Sequence, residues 1–179
     1  MKVIAFGASS SSKSINKRLA AYTASLVIQH HHDADIEVLD LNDFELPLFS
    51  ADKELALGQP EAAKSFFNKL GESDAIIISF AEHNGNFTAA YKNLFDWASR
   101  IDKKVFQNKP MLLLSTSPGP GGAVNVLAIA NNTTSHFAGI VKASLSVPNF
   151  FTNFDVETGK IINDDVQQQL VRAVKSLIE

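Results

Sequence analysis

Three short segments hold the residue types that chemistry needs. The first reads Gly7-Ala8-Ser9-Ser10-Ser11-Ser12-Lys13-Ser14-Ile15-Asn16. Hydroxyls at Ser9, Ser11, Ser12 and Ser14 can donate to an anion, and Lys13, Lys17 and Arg18 place cations nearby. At the start of a helix, such a loop also offers unpaired backbone N–H groups and the positive end of the helix dipole. A mononucleotide phosphate fits that combination. The same serines read equally well as caps, with Ser12 or Ser14 accepting from the first helical turn among solvated lysines. Two nucleotide motifs are excluded: a Walker loop counted from Gly7 needs glycine where Ser12 stands, and G-x-G-x-x-G needs glycine where Ser9 stands.

The second segment is Ala81-Glu82-His83-Asn84-Gly85-Asn86-Phe87-Thr88. Asn84 and Gly85 both tolerate positive φ, so the plain reading is a turn carrying a surface histidine. The chemical reading is a turn that aims backbone N–H groups at a flat heteroaromatic ring, with His83 beside it. The third segment is Ser115-Thr116-Ser117-Pro118-Gly119-Pro120-Gly121-Gly122, where bare glycine backbone lets a planar ring approach closely. It reads otherwise as a strand-to-helix connection of unusual turn chemistry. It does not complete a dinucleotide motif either, because Val124 stands where the last glycine belongs.

The elements that must position these segments follow from apolar periodicity. Short apolar runs at Val3–Phe6, Ile36–Leu41, Ala75–Phe80, Met111–Leu114 and Ile140–Val147 read as strands covered on both faces, the second alternating as a strand near an edge does. Between them lie helical patterns. Ile15, Leu19, Tyr22 and Leu26 share a face of a segment ending near His31. Ala63, Phe66, Phe67 and Leu70 mark a helix opened by Pro60 and Glu61. Further helices run through Tyr91 to Ala98, Val124 to Asn131 and Val166 to Leu177. This alternation predicts a doubly wound parallel sheet, whose ligands gather outside the carboxyl ends of the strands where strand order reverses. All three segments follow such strands. Asp52–Gln59 and Thr152–Asn163 read as loops within one fold.

Composition narrows the classes. The chain has 179 residues, 45% hydrophobic and 20% charged, which suits one domain with its own core. A formal net charge of −3 gives no basic footprint for nucleic acid. The absence of cysteine excludes disulfides, thiolate metal sites and cysteine nucleophiles. No apolar stretch approaches a membrane span, and a cytoplasmic location is expected. No G-x-S-x-G elbow follows a strand. His30-His31-His32 is read as a cationic helix end rather than a metal site, because adjacent helical residues point in different directions.

Taken together, the three segments resemble those of the NAD(P)H-dependent FMN reductase family, which includes flavin, quinone, azo-dye and chromate reductases. Against that family's G-S-x-R-x-x-S-x-N, the chain matches at Ser9, Ser14 and Asn16, with Ala8 for glycine and Ser11 for arginine. The absent arginine weakens the expected grip on phosphate. Against P-E-Y-N-G-S followed by K-N-x-x-D-W, it matches at Glu82, Asn84, Gly85, Lys92, Asn93, Asp96 and Trp97, with Ala81, His83 and Asn86 departing. Leu46-Pro47-Leu48-Phe49 resembles the family's L-P-x-[YF], and Ser117-Pro118-Gly119 with Gly121-Gly122 resembles its S-P-G-x-x-G-G, one residue shorter.

The resemblance implies a single flavodoxin-like three-layer sandwich over residues 1–179, with a five-stranded parallel sheet in order 2-1-3-4-5 and helices on both faces. It implies that Ser9, Ser11, Ser14, Ile15 and Asn16 surround the FMN phosphate. Ala81, Glu82, His83, Asn84 and Gly85 then line the isoalloxazine, and Ser117, Pro118, Gly119, Gly121 and Gly122 close its other side. Lys92 to Trp97 would lie on a helix used for dimer packing; their plainer reading is Trp97 and Phe95 in the core and Lys92 with Asp96 as a solvated pair. The implied activity passes hydride from NADPH or NADH to bound FMN and then to a quinone, azo, flavin or similar small acceptor, in a homodimer or homotetramer. No side chain need act as nucleophile or obligatory base. The alternatives are a flavodoxin-type electron carrier or flavin-binding regulator without nicotinamide turnover, and an interaction protein that has lost FMN.

Overall fold

Within each central strand, successive side chains leave the sheet on opposite faces. Here both faces are apolar, so helices must cover both. The computed structural model spans residues 1–179. Its first half runs β1 (Lys2–Ala8), α1 (Ile15–Ser25), β2 (Asp35–Leu39), α2 (Ala51–Leu57), α3 (Glu61–Glu72) and β3 (Ala75–Phe80). A tight hairpin of β4 (Glu82–His83) and β5 (Asn86–Phe87) precedes α4 (Ala89–Ile101). Then come β6 (Pro110–Thr116), α5 (Val124–Thr134), β7 (Ile140–Val147), α6 (Phe150–Asn153), β8 (Phe154–Asp155), β9 (Lys160–Ile161) and α7 (Asp164–Ile178).

The main sheet is parallel throughout, in the order β2-β1-β3-β6-β7. Counting only its five strands along the chain, the order is 2-1-3-4-5, the flavodoxin-like arrangement. Alternation sorts the core into two layers. Ile4, Phe6, Ile76, Ile78, Met111 and Leu113 pack against α3, α4 and α5. Val3, Ala5, Ala75, Ile77, Leu112 and Leu114 pack against α1 and α7.

Four expectations are corrected. Ala51–Leu57 forms a helix rather than a loop, capped by Ser50, whose hydroxyl accepts from Lys53 N at 3.2 Å, and ended by Gly58 at φ +66°. It buries none of its residues, so no apolar period announced it. Thr152–Asn163 is also structured, holding the end of α6 and the β8–β9 hairpin. β7 lies at the sheet edge, and Ile140 is 50% exposed rather than covered. Finally, α1 stops at Ser25 and tightens into a 3-10 turn over Leu26–Gln29, leaving His30, His31 and His32 exposed beyond it.

Candidate functional site

Strand order reverses between β1 and β3, and a crevice is expected at their carboxyl ends. Every site residue expected from the sequence lies in one of the three connections at that end, following β1, β3 and β6, including the first turn of α1 (Ile15, Asn16) and the short strand β4 (Glu82, His83). Specific side chains lash these loops together. Asn16, 3% exposed, sits in the first turn of α1. Its Oδ1 accepts from Ser79 Oγ at 2.7 Å and from Thr116 N at 3.1 Å, while its Nδ2 donates to Thr116 O at 3.2 Å. One amide thus joins the ends of β3 and β6 to the helix that follows β1. Thr88 caps α4 and donates its hydroxyl to Ala8 O at 2.9 Å, tying the second loop to the first strand. Glu82 reaches the start of α5, accepting from Val126 N at 3.0 Å and Asn125 Nδ2 at 3.3 Å. A carboxylate there also meets the positive end of the α5 dipole.

The first loop begins where α1 presses against β1. A Cβ on Gly7 would stand 2.3 Å from Lys17 N, so only glycine permits that approach. Ser14 caps α1, its Oγ accepting from Lys17 N at 3.1 Å. Ser9 Oγ accepts from Ser11 N, and Ser11 Oγ accepts from Lys13 N. The capping reading therefore holds for Ser14. Yet the backbone N–H groups of Ser10, Ser12, Ile15 and Asn16 find no acceptor in the chain. Of the three cations expected near the loop, Lys17 pairs with Asp40 and Arg18 donates to Val156 O. Lys13, also exposed, makes no hydrogen bond or ion pair through its side chain.

The second loop turns through Asn84 at φ +52° and Gly85 at φ +76°. His83 and Asn84 are exposed, and Ala81, Glu82 and Gly85 are half-buried. The third loop is held from below: Ser115 Oγ and Ser146 Oγ both donate to Gly122 O, at 2.7 and 2.8 Å. Asn149 N donates to Gly119 O at 2.9 Å and Phe150 N to Ser117 O at 3.0 Å. Gly122 lies at φ +57°, and a Cβ there would meet Ser146 Oγ at 2.2 Å. Amides of Ala81, Asn84 and Gly85 in the second loop, and of Ser117, Gly119 and Gly121 in the third, also lack acceptors within the chain. Most of these residues are exposed or half-buried, so their N–H groups face solvent and are free to donate to a ligand rich in acceptors.

The Lys92–Trp97 motif takes its plainer reading in part. Trp97 is fully buried, and Lys92 Nζ pairs with Asp96 Oδ1 at 2.7 Å on the surface of α4; Phe95 is half-buried. The roles of Asn93 and Trp97 rest on partners more than 40 positions away, which no local pattern signals. Asn93 Oδ1 accepts from Phe49 N at 2.8 Å, and Trp97 Nε1 donates to Pro47 O at 2.7 Å. Two motifs singled out separately are thus bonded to each other.

The fold is that of a flavodoxin-like domain. Residues 1–152 match the pattern of the NADPH-dependent FMN reductase family. An NADPH:quinone oxidoreductase from Arabidopsis thaliana is 30% identical over 145 residues, covering 79% of this chain and 72% of that protein. A 2-hydroxy-1,4-benzoquinone reductase from Burkholderia sp is 30% identical over 166 residues, covering 88% and 83%. Among solved structures, FerB from Paracoccus denitrificans, a flavoenzyme NAD(P)H:(acceptor) oxidoreductase, superposes with a TM-score of 0.76. It is 22% identical, over 99% of this chain and 94% of that one. The chain belongs to the NADPH-dependent FMN reductase family. It is an FMN-dependent oxidoreductase that draws on a reduced nicotinamide, and the carrier reading is set aside.

Proposed function

We propose that the three-loop rim of residues 1–179 is the FMN site and that the acceptor is a small quinone or a similar compound. The observation that carries this reading is the set of unpaired amides on three loops lashed together at the order reversal. They fit the group chemically. Amides of Ser10, Ser12, Ile15 and Asn16 with the Ser10 and Ser12 hydroxyls offer donors to a phosphate at the positive end of α1. Ser9, Ser11 and Ser14 shape that cradle through their caps and turns. Asn16, its oxygen fully engaged, serves by holding the loops and has one amide hydrogen left to give. Ala81, Glu82, His83, Asn84 and Gly85 form one wall for the ring. Ser117, Pro118, Gly119, Gly121 and Gly122 form the other.

FMN supplies hydride transfer when bound, so the chain has no bond to break with its own side chains. Its residues bind and orient. The exposed His83 and Asn84 border an open face that donor and acceptor occupy in turn. The net charge of −3 argues against nucleic acid as a partner, and no helix is long and apolar enough to cross a membrane. The proposed setting is the cytoplasm, and the proposed assembly is a homodimer or homotetramer, which sedimentation tests.

The decisive experiment is an anaerobic spectrum of the protein with FMN, before and after NADPH or NADH. Bleaching of the flavin bands, and their return on adding a benzoquinone, is expected. FMN that passes through a desalting column without the protein would overturn the site.

A further inference from the structure

Glycines that let a planar group approach a loop carry no side chain with which to cap the helix that follows. The third loop meets that problem at α5. Gly121 and Gly122 lead into Ala123, which stands at the N-cap in the left-handed region, at φ +58°, and makes no side-chain cap. Val124 N donates back to Gly121 O at 3.2 Å, and the first turn holds no acidic residue. The acceptor for Val126 N comes from the second loop instead. Glu82, 44 positions earlier, accepts that N–H on Oε2 at 3.0 Å and the Asn125 Nδ2 on Oε1 at 3.3 Å. The dipole of α5 and both donors favour a carboxylate there.

These two bonds have no counterpart. No other hydrogen bond joins residues 81–88 to residues 117–126. The second loop's further tether, from Thr88 to Ala8 O, leads to β1. The third loop's further tethers, from Ser115, Ser146, Asn149 and Phe150, lead to β6 and β7 and the residues just after β7. Asn16 joins the strand ends at Ser79 and Thr116, not the loops that follow them. Glu82 is half-buried, and both its oxygens are committed to α5.

We propose that Glu82 is a positioning residue: by capping α5 from the second loop, it fixes the separation of the two walls of the ring site. This rests on the reading of the rim as the FMN site. Ala81, Asn84 and Gly85 on one wall, and Ser117, Gly119 and Gly121 on the other, bring the free amides. Those donors suit a planar ring only while the walls keep their spacing. No bond from Glu82 reaches residues 9–16, where the phosphate cradle lies. Glu82 therefore acts on the ring and not on the phosphate.

The test titrates the full chain with FMN and with riboflavin, which keeps the ring and lacks the phosphate, by flavin fluorescence. Glu82→Ala should weaken both by one factor, about tenfold, for the lost charged hydrogen bonds. Glu82→Gln keeps an oxygen for Val126 N and should stay within about threefold of the parent for both flavins. Glu82→Asp keeps the charge but is one methylene shorter, and should fall with Glu82→Ala. In the flavin-free chain, the Val126 amide should exchange with deuterated solvent faster in Glu82→Ala and Glu82→Asp than in the parent or Glu82→Gln. If Glu82→Ala does not fold, the Gln and Asp variants make the same comparison. A parent that binds FMN, with affinities unchanged in Glu82→Ala and Glu82→Asp, would overturn the assignment and leave the FMN site standing. So would a loss confined to FMN, or Glu82→Gln as weak as Glu82→Ala. A parent that holds neither flavin overturns the FMN site, and this assignment with it.

Discussion

The two layers of the core differ in what fills them. The layer under α1 and α7 is built largely of aliphatic residues, with Phe150 and Phe154 at one end, stacked 4.7 Å apart. The layer under α3, α4 and α5 is built around rings, from Phe6 and Phe66 through Phe80 and Tyr91 to Phe106, and it keeps a cavity. Branched aliphatic chains interdigitate to high density, whereas rings meeting edge to face leave gaps between them. The contrast separates two duties. The aliphatic layer holds α1, and with it Asn16, rigidly against three strands. The aromatic layer supports the hairpin and leaves space beside it.

Truncations on each side test that contrast most directly. Leu170→Ala, in the fully buried face of α7, should cost about 3–4 kcal/mol in urea unfolding. Phe95→Ala, half-buried and already beside a void, should cost only about 1–2 kcal/mol, because part of its contact is missing beforehand. Equal costs would break the comparison. Next, Asn16→Ala leaves Thr116 N–H and Ser79 Oγ without their shared acceptor, and should cost about 3 kcal/mol, read by the same unfolding curve.

Ser14→Asp sharpens the role of the rim. Aspartate caps a helix as well as serine does, so thermal stability should hold. A negative charge beside the phosphate should weaken FMN binding at least about tenfold, measured by flavin fluorescence. Glu82→Gln removes a carboxylate from the start of α5 and should cost about 1 kcal/mol or less, seen as a small drop in Tm.

The smallest effect concerns Asp40. The Lys17 ammonium, and then the Asn42 amide, hydrogen-bond its carboxylate and hold its pKa below the ordinary value. The stabilisation is present above the unfolded pKa and is lost as pH falls through the folded one. Asp40→Asn should therefore be less stable near neutral pH, by less than about 1 kcal/mol for so accessible a pair. It should converge on the parent as the pH drops below the aspartate range.

Much of this architecture was legible in the residues. Ala75–Phe80 and Ile140–Val147 were read with the bounds the strands have, because apolar runs end abruptly in turn residues. The three candidate loops are legible because each pairs glycine or small hydroxyl residues with the end of a buried run. What escaped was non-local. Nothing near Lys17 signals Asp40, 23 positions on, and nothing near Thr88 signals the Ala8 carbonyl, 80 positions back. Thr88 did carry a local sign, a hydroxyl residue just ahead of a helical run, which marks a cap. The Asn16 contacts were invisible for the same reason of distance, so its amide read as a ligand group rather than a clamp.

The helix Ala51–Leu57 is anchored from outside by Arg100 Nε, which donates to Glu54 at 2.9 Å, and by Gln59 Nε2 to Glu54 and Arg100 O. With no side chain in the core, its unwinding exposes almost no apolar surface, so its opening equilibrium is uncoupled from global unfolding. Its amides should exchange with deuterated solvent long before those of α4. The Leu55–Leu57 stretch should likewise be where a protease first nicks the native chain.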